Sequence, residues 1–133
     1  MLDRVAFHID PPLDDATLNG LFARAWPDHV SSAYQAVLSR SLGYIGAFFG
    51  DELIGFVNLA TDGGEHAFLL DPTVDQAYRR RGIGLELVRR ATAIARERGC
   101  TWLHVDYEPA LASFYRAAGF RESLAGVLRL RDR

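Results

Sequence analysis

Apolar positions along the chain fall into short strand-like runs interrupted by longer repeats of helical spacing. The first run, RVAFHI from Arg4 to Ile9, is followed by Pro11 and Pro12, which cannot donate to a sheet ladder. Leu18, Leu21, Phe22 and Ala25 then recur at three- and four-residue intervals and predict a helix with one buried face. The Asp14–Asp15 pair suits the positive start of that helix, and Pro27 stops it. A second, weaker helix is predicted over residues 30–38. Two apolar, aromatic and β-branched runs, YIGAFF and LIGFVNLA, meet across Gly50–Asp51 and predict a hairpin. A further strand begins in GGEHAFLL, after the turn at residues 62–64.

From Gly84 onward Leu87, Val88, Ala91, Ile94 and Ala95 line one face of a long helix, with Glu86, Arg89, Arg90 and Arg96 on the other. Glu86 and Arg90 stand four apart, as an ion pair along a helix requires. TWLHVDY reads as a strand with Trp102, His104 and Asp106 on one face and Leu103, Val105 and Tyr107 on the other. Pro109 suits the first turn of a last helix, whose buried side would carry Leu111, Phe114, Tyr115 and Ala118. AGVLRLR is predicted as a closing strand. The order β-α-α-β-β-β-α-β-α-β describes an α/β fold, one mixed sheet covered by helices, in a single domain over residues 1–133.

Composition narrows the function more than the fold. A chain of 133 residues can bury one core. Its formal net charge of −2 and pI near 6.0 argue against nucleic-acid or membrane-surface partners, so any basic patch is local. Every positive side chain is an arginine, since the sequence has no lysine. The single cysteine, Cys100, cannot form an internal disulfide and fits a reducing compartment. The N-terminus lacks the pattern of a signal peptide, and no apolar run reaches the ~18 residues of a spanning helix. The expectation is a soluble, cytoplasmic protein.

One stretch concentrates charge. In YRRRGIGLELVRR, Arg79, Arg80 and Arg81 precede Gly82-Ile83-Gly84 at the mouth of the long helix. A helix start offers free N–H groups and about half a positive charge, glycines let a ligand approach the backbone, and guanidinium groups bind phosphate oxygens in pairs. These are the parts of a diphosphate seat. A Walker-type loop is excluded, for want of a lysine, and a dinucleotide fingerprint fails because Leu85-Glu86-Leu87 follows Gly84.

TVDQAYRRRGIGLELV resembles the acyl-CoA-binding signature of the GNAT superfamily of N-acetyltransferases, with Arg79-x-x-Gly82-x-Gly84 in register. EPALASFYRAAGF resembles the second hallmark of that family, a short helix carrying Phe-Tyr and then Gly-Phe. The resemblance spans roughly residues 41–131. It implies a mixed, mostly antiparallel central sheet flanked by helices, acetyl-CoA as cosubstrate, no metal, and direct acetyl transfer to a primary amine of a small molecule or peptide. By the same resemblance the Val74 backbone would pair with the pantetheine arm. The N–H groups of Arg80, Arg81, Gly82, Ile83 and Gly84 would hold the diphosphate, and Arg79 would bind it through its side chain. Tyr115 would be the general acid. Gln76 stands where the family often has Pro and Glu108 where it often has Asn.

A phenol of reference pKa about 10 remains protonated at neutral pH and can protonate a departing thiolate. Tyr115 also fits a plain core aromatic. The base stays open among Glu65, His66, His104, Asp106, Glu108 and a bound water. Trp26, His29 and Tyr34 fall where the family's acceptor site often lies, and equally suit ordinary packing. A non-catalytic acyl-CoA-binding module is the alternative function, and a homodimer through the C-terminal strand is a family-level expectation.

Overall fold

The computed structural model describes residues 1–132. Its strands are β1 (Val5–Ile9), β2 (Gly43–Phe49), β3 (Glu52–Thr61), β4 (His66–Val74) and β5 (Trp102–Val105). Its helices are α1 (Asp15–Ala25), α2 (Gln35–Arg40), α3 (Ile83–Glu97) and α4 (Ala112–Ala117). The strands form one sheet in the order β1-β2-β3-β4-β5. The first three pairings are antiparallel and β4–β5 is parallel, because α3 carries the chain back before β5 begins.

Each element follows from local chemistry. The Asp14 carboxylate caps α1 by accepting from the Thr17 N–H at 2.8 Å, and the helix ends at Ala25 ahead of Pro27. Leu18, Leu21, Phe22 and Ala25 are all buried, as their spacing predicts. The hairpin turns at Gly50–Asp51 with Phe49 opposite Glu52. Helix α2 starts later than its pattern suggests. Asn19 on α1 clamps the backbone of Ser32, accepting from its N–H at 3.0 Å and donating to its carbonyl at 2.9 Å. The Asp15 carboxylate takes the Tyr34 N–H at 2.9 Å, so the preceding residues cannot enter a helix.

Two cores sandwich the sheet. On one face α3 lays Ile83, Leu87, Val88, Ala91, Ile94 and Ala95 against Ile45, Ile54, Val57, Ala67 and Leu69. Gly55 lets α3 come close, since a Cβ there would lie 3.1 Å from Leu87 Cδ1 and 3.2 Å from Ala47 Cβ. On the other face α1 and α2 pack Leu18, Leu21, Phe22 and Leu38 on Leu53 and Phe56. Glu86 and Arg90 pair at 3.0 Å on the outer side of α3.

The closing strand expected in AGVLRLR does not form. Residues 121–132 make no strand, and Leu124, Val127, Leu128 and Leu130 are exposed at 79–105%. Alternation alone cannot make a strand without a partner edge, and among the described residues nothing pairs with the segment. Leu111, expected on the buried side of the last helix, is also exposed: it ends a 3₁₀ turn (Pro109–Leu111) whose residues precede the packed face of α4.

Candidate functional site

The site is assembled where α3 and α4 meet beyond the last β4–β5 pair. That pair is Leu69–Val105; past it β4 continues to Val74 without β5 beside it, and the two strands part. The gap lies over the start of α3. A Cβ placed on Gly84 would sit 3.7 Å from both Phe114 Cζ of α4 and Val74 Cγ2 of β4. The two motifs, thirty residues apart in the sequence, thus approach within one side chain's reach.

The turn into α3 is built for exposed amides. Arg80 and Gly82 both have positive φ, 64° and 83°, which turns successive N–H groups outward. No hydrogen-bond partner meets the N–H of Arg80, Arg81, Gly82, Ile83 or Gly84 among the described residues. The first helical N–H groups have no intrahelical acceptor by geometry, and α3 adds its positive end across 15 residues. Arg80 and Arg81 are exposed and form no ion pair among the described residues, so their charge is not neutralised.

The side chain of Arg79, expected on the diphosphate, donates in this structure to two backbone carbonyls. Its Nη2 donates to the Ala25 carbonyl at 2.7 Å and its Nε to the Val74 carbonyl at 3.3 Å. Ala25 ends α1, where carbonyls lack partners and the helix dipole is negative, so a guanidinium is drawn there. A second tie runs beside it: Arg24 Nε meets the buried Asp75 carboxylate at 2.7 Å, and Arg24 Nη2 donates to the Leu53 carbonyl at 2.8 Å. Asp75 also accepts the Ala77 N–H at 2.9 Å. These contacts hold the loop leading to the glycines against α1.

Tyr115 lies in an aromatic nest. Its ring stacks on Tyr107 with centroids 4.8 Å apart and meets Phe114 and Phe120 edge-on at 5.0 and 5.7 Å. The residue is 3% exposed and its hydroxyl has no partner among the described residues. Because no fully buried side-chain oxygen or nitrogen among the described residues is left unpaired, the hydroxyl must keep some contact with solvent. Burial raises its pKa above the ordinary phenol value, so it stays protonated.

The candidate bases are dispersed. Glu65 accepts from Thr101 Oγ1 at 2.7 Å and serves the turn before β4. His66 Nδ1 and His104 Nε2 are 2.8 Å apart on the exposed face of β4 and β5, and His104 stacks on Phe68 at 4.8 Å. Asp106 and Glu108 are exposed past the end of β5. Trp26, His29 and Tyr34 all pack around the buried Phe22, at 4.9, 5.7 and 5.2 Å. Cys100 is half-buried against the α3 core.

A residue the pattern did not single out is Asp71. It sits on a bulge of β4, where three steps from Leu70 to Thr73 face two from Asn58 to Phe56. Its φ is +53°, and burial raises its carboxyl pKa although the residue as a whole is exposed. The signal was present in LLDPTV, because a proline inside a strand pattern marks a bulge. Among the described residues no cluster of His, Cys, Asp and Glu is arranged to hold a metal, and no helix is long and apolar enough to cross a membrane.

Known proteins share this fold. Residues 14–120 match the Acetyltransferase (GNAT) family. A probable glucosamine 6-phosphate N-acetyltransferase 2 of Oryza sativa subsp. japonica is 43% identical over 60 residues, covering 45% of this chain and 36% of that protein. A mycothiol acetyltransferase of Nocardia farcinica is 35% identical over 120 residues, covering 85% of this chain and 39% of that protein. The chain therefore spans little more than a third of the length of these curated relatives. Among solved structures, a GNAT family acetyltransferase from Streptococcus pneumoniae TIGR4 superposes with a TM-score of 0.81 at 22% identity, covering 97% of this chain and 99% of the other. An aminoglycoside N-acetyltransferase in complex with CoA superposes with a TM-score of 0.70 at 21% identity, covering 97% and 95%.

Proposed function

Because the chain belongs to the GNAT acetyltransferase family, we propose that it moves an acetyl group from acetyl-CoA directly to a primary amine of a small molecule or peptide. The observation that carries this reading is the approach of Gly84 to Phe114 and Val74, which brings the amide turn and the helix that bears Tyr115 together beside β4. The N–H groups from Arg80 to Gly84 hold the diphosphate, and glycine at 82 and 84 leaves no Cβ in its path. Arg80 and Arg81 add charge from the rim. Arg79 contributes by fixing the loop to α1, and the backbone of Val74 lines the pantetheine arm.

Tyr115 donates its hydroxyl proton to the sulfur as the thiolate departs. Its raised pKa keeps that proton in place until the transition state draws it away. The aromatic nest keeps water from the ring and leaves only the tip to act. Relatives named for glucosamine 6-phosphate and for aminoglycosides make amino sugars the first acceptors to try.

The experiment is a thermal-shift titration with acetyl-CoA followed by a thiol-release assay over amines. Acetyl-CoA at 100 times Kd adds about 2.7 kcal/mol of stability. An unchanged melting temperature refutes the coenzyme site. Stabilisation without thiol release from any amine leaves a binding module in place of an enzyme.

A further inference from the structure

Two of the four histidines face each other. His66 Nδ1 and His104 Nε2 lie 2.8 Å apart across the β4–β5 edge, one ring donating to the other. The register sets them there: Phe68 is the ladder partner of His104, and His66 stands two residues earlier on the same face. Ala67 and Leu69, on the opposite face, are buried in the α3 core, so the imidazoles stand on the side that α3 does not cover. Stacking also holds the rings in orientation. His104 lies on Phe68 with centroids 4.8 Å apart and on His66 at 5.0 Å. The other two histidines have no such company, since His29 Nε2 meets Asn19 Oδ1 at 2.9 Å and His8 packs against Phe48.

The hydrogen bond uses only the inner nitrogen of each ring. Among the described residues nothing bonds His66 Nε2 or His104 Nδ1. The donor ring can therefore pass to its other tautomer, with the proton on its outer nitrogen, without losing a further protein contact. Both inner nitrogens then present lone pairs to the same small space, as a metal ion requires of neutral imidazole. A negative charge stands close by, because the Asp62 carboxylate accepts from the His66 N–H at 3.2 Å.

Distance selects the ion. With metal–nitrogen bonds of about 2.0 Å, a separation of 2.8 Å subtends about 90° at the ion, whereas a tetrahedral angle needs about 3.3 Å. A right angle between neighbouring nitrogens belongs to the square-planar or tetragonal coordination of copper(II) and nickel(II), and copper(II) leads the affinity order of divalent ions. We propose that His66 and His104 form an exchangeable site for a copper(II) or nickel(II) ion that bridges β4 and β5, with water in the remaining positions. A pair of protein ligands is fewer than the three or more that hold a resident metal, and the ion exchanges for that reason. Once bound, it replaces the hydrogen bond between the rings and clamps the edge strand β5 to β4. The site uses neither the amide turn nor Tyr115, so it stands or falls apart from the transferase reading.

The test titrates nickel(II) and copper(II) chloride into wild type, His66→Asn and His104→Asn. Nickel, which leaves the Cys100 thiol unoxidised, is read by thermal shift; copper is read by electron paramagnetic resonance. The expected result is one ion per chain, a melting temperature that rises with nickel, and an axial copper spectrum showing two imidazole nitrogens. Affinity for either ion should be weaker by about tenfold or more in each variant. Melts without metal verify that both variants fold. Wild-type affinity in either variant, a spectrum with fewer than two imidazole nitrogens, or no response to either ion overturns the site.

Discussion

At the scale of single residues, Tyr115 and Gly82 carry the sharpest expectations. Tyr115→Phe keeps the ring and its three aromatic neighbours and removes only the hydroxyl. Steady-state kinetics should show turnover lower by about 10²–10⁴-fold with acetyl-CoA affinity nearly unchanged; wild-type turnover would end the acid role. Burial raises the Tyr115 pKa, so the folded state binds that proton more tightly than the unfolded chain. Its contribution to stability is intact at neutral pH and is lost as pH climbs past about 10. Denaturant melts at pH 7 and pH 11 should differ in that direction. Gly82 and Gly84 separate two roles of glycine. Gly82 has φ +83°, and alanine there should cost about 1–2 kcal/mol and weaken acetyl-CoA binding. Gly84 is helical and has room, its nearest contacts being 3.7 Å away, so alanine there should be neutral or stabilising by up to about 1 kcal/mol. Equal losses at both positions, measured by chemical denaturation, would contradict the geometry.

At the scale of elements, the junction between α1 and the loop before α3 positions the site from a distance. Arg24 and Arg79 reach across it to Asp75, Leu53, Val74 and to the end of α1 itself. Asp75 is 4% exposed and holds both Arg24 and the Ala77 N–H. Asp75→Asn keeps the size and removes the charge, so it should destabilise by about 1–3 kcal/mol. It should also weaken acetyl-CoA binding, because the loop it anchors carries the amides. Thermal melts with and without acetyl-CoA separate these effects, and an unchanged ligand shift would show the anchor to be purely structural. The clustering of Trp26, His29 and Tyr34 around Phe22 belongs to the same level: all three pack on the buried ring of α1.

At the scale of the whole molecule, the segment after Phe120 stands out. Leu124, Val127, Leu128 and Leu130 lie in water, and β5 ends the sheet with its outer edge unpaired among the described residues. Exposed strand edges and contiguous apolar positions favour association. We propose that the segment pairs between two copies of the chain. Light scattering behind size exclusion should then report a dimer, and replacing the four residues by serine should give a monomer; a monomeric wild type would refute the pairing.

Much of this protein was decided by neighbours along the chain. The helix faces of α1 and α3, the hairpin at Gly50–Asp51, the Glu86–Arg90 pair and the amide turn before Gly84 depend on interactions within a few residues, so spacing and residue type were enough to predict them. The turn proposed to seat the diphosphate was legible for the same reason, since its geometry is a backbone feature of a few residues. What the sequence could not decide rests on contacts between distant segments. Arg79 resembled its arginine neighbours until the fold placed the carbonyl of Ala25, 54 residues away, within 2.7 Å. AGVLRLR has the alternation of a strand, yet only a partner edge can make it one. Asp71 became notable only when the pairing of β4 with β3 set it on a bulge with a positive φ. A local pattern specifies conformation; tertiary structure selects which groups find partners, and the groups left without one are those free to do chemistry.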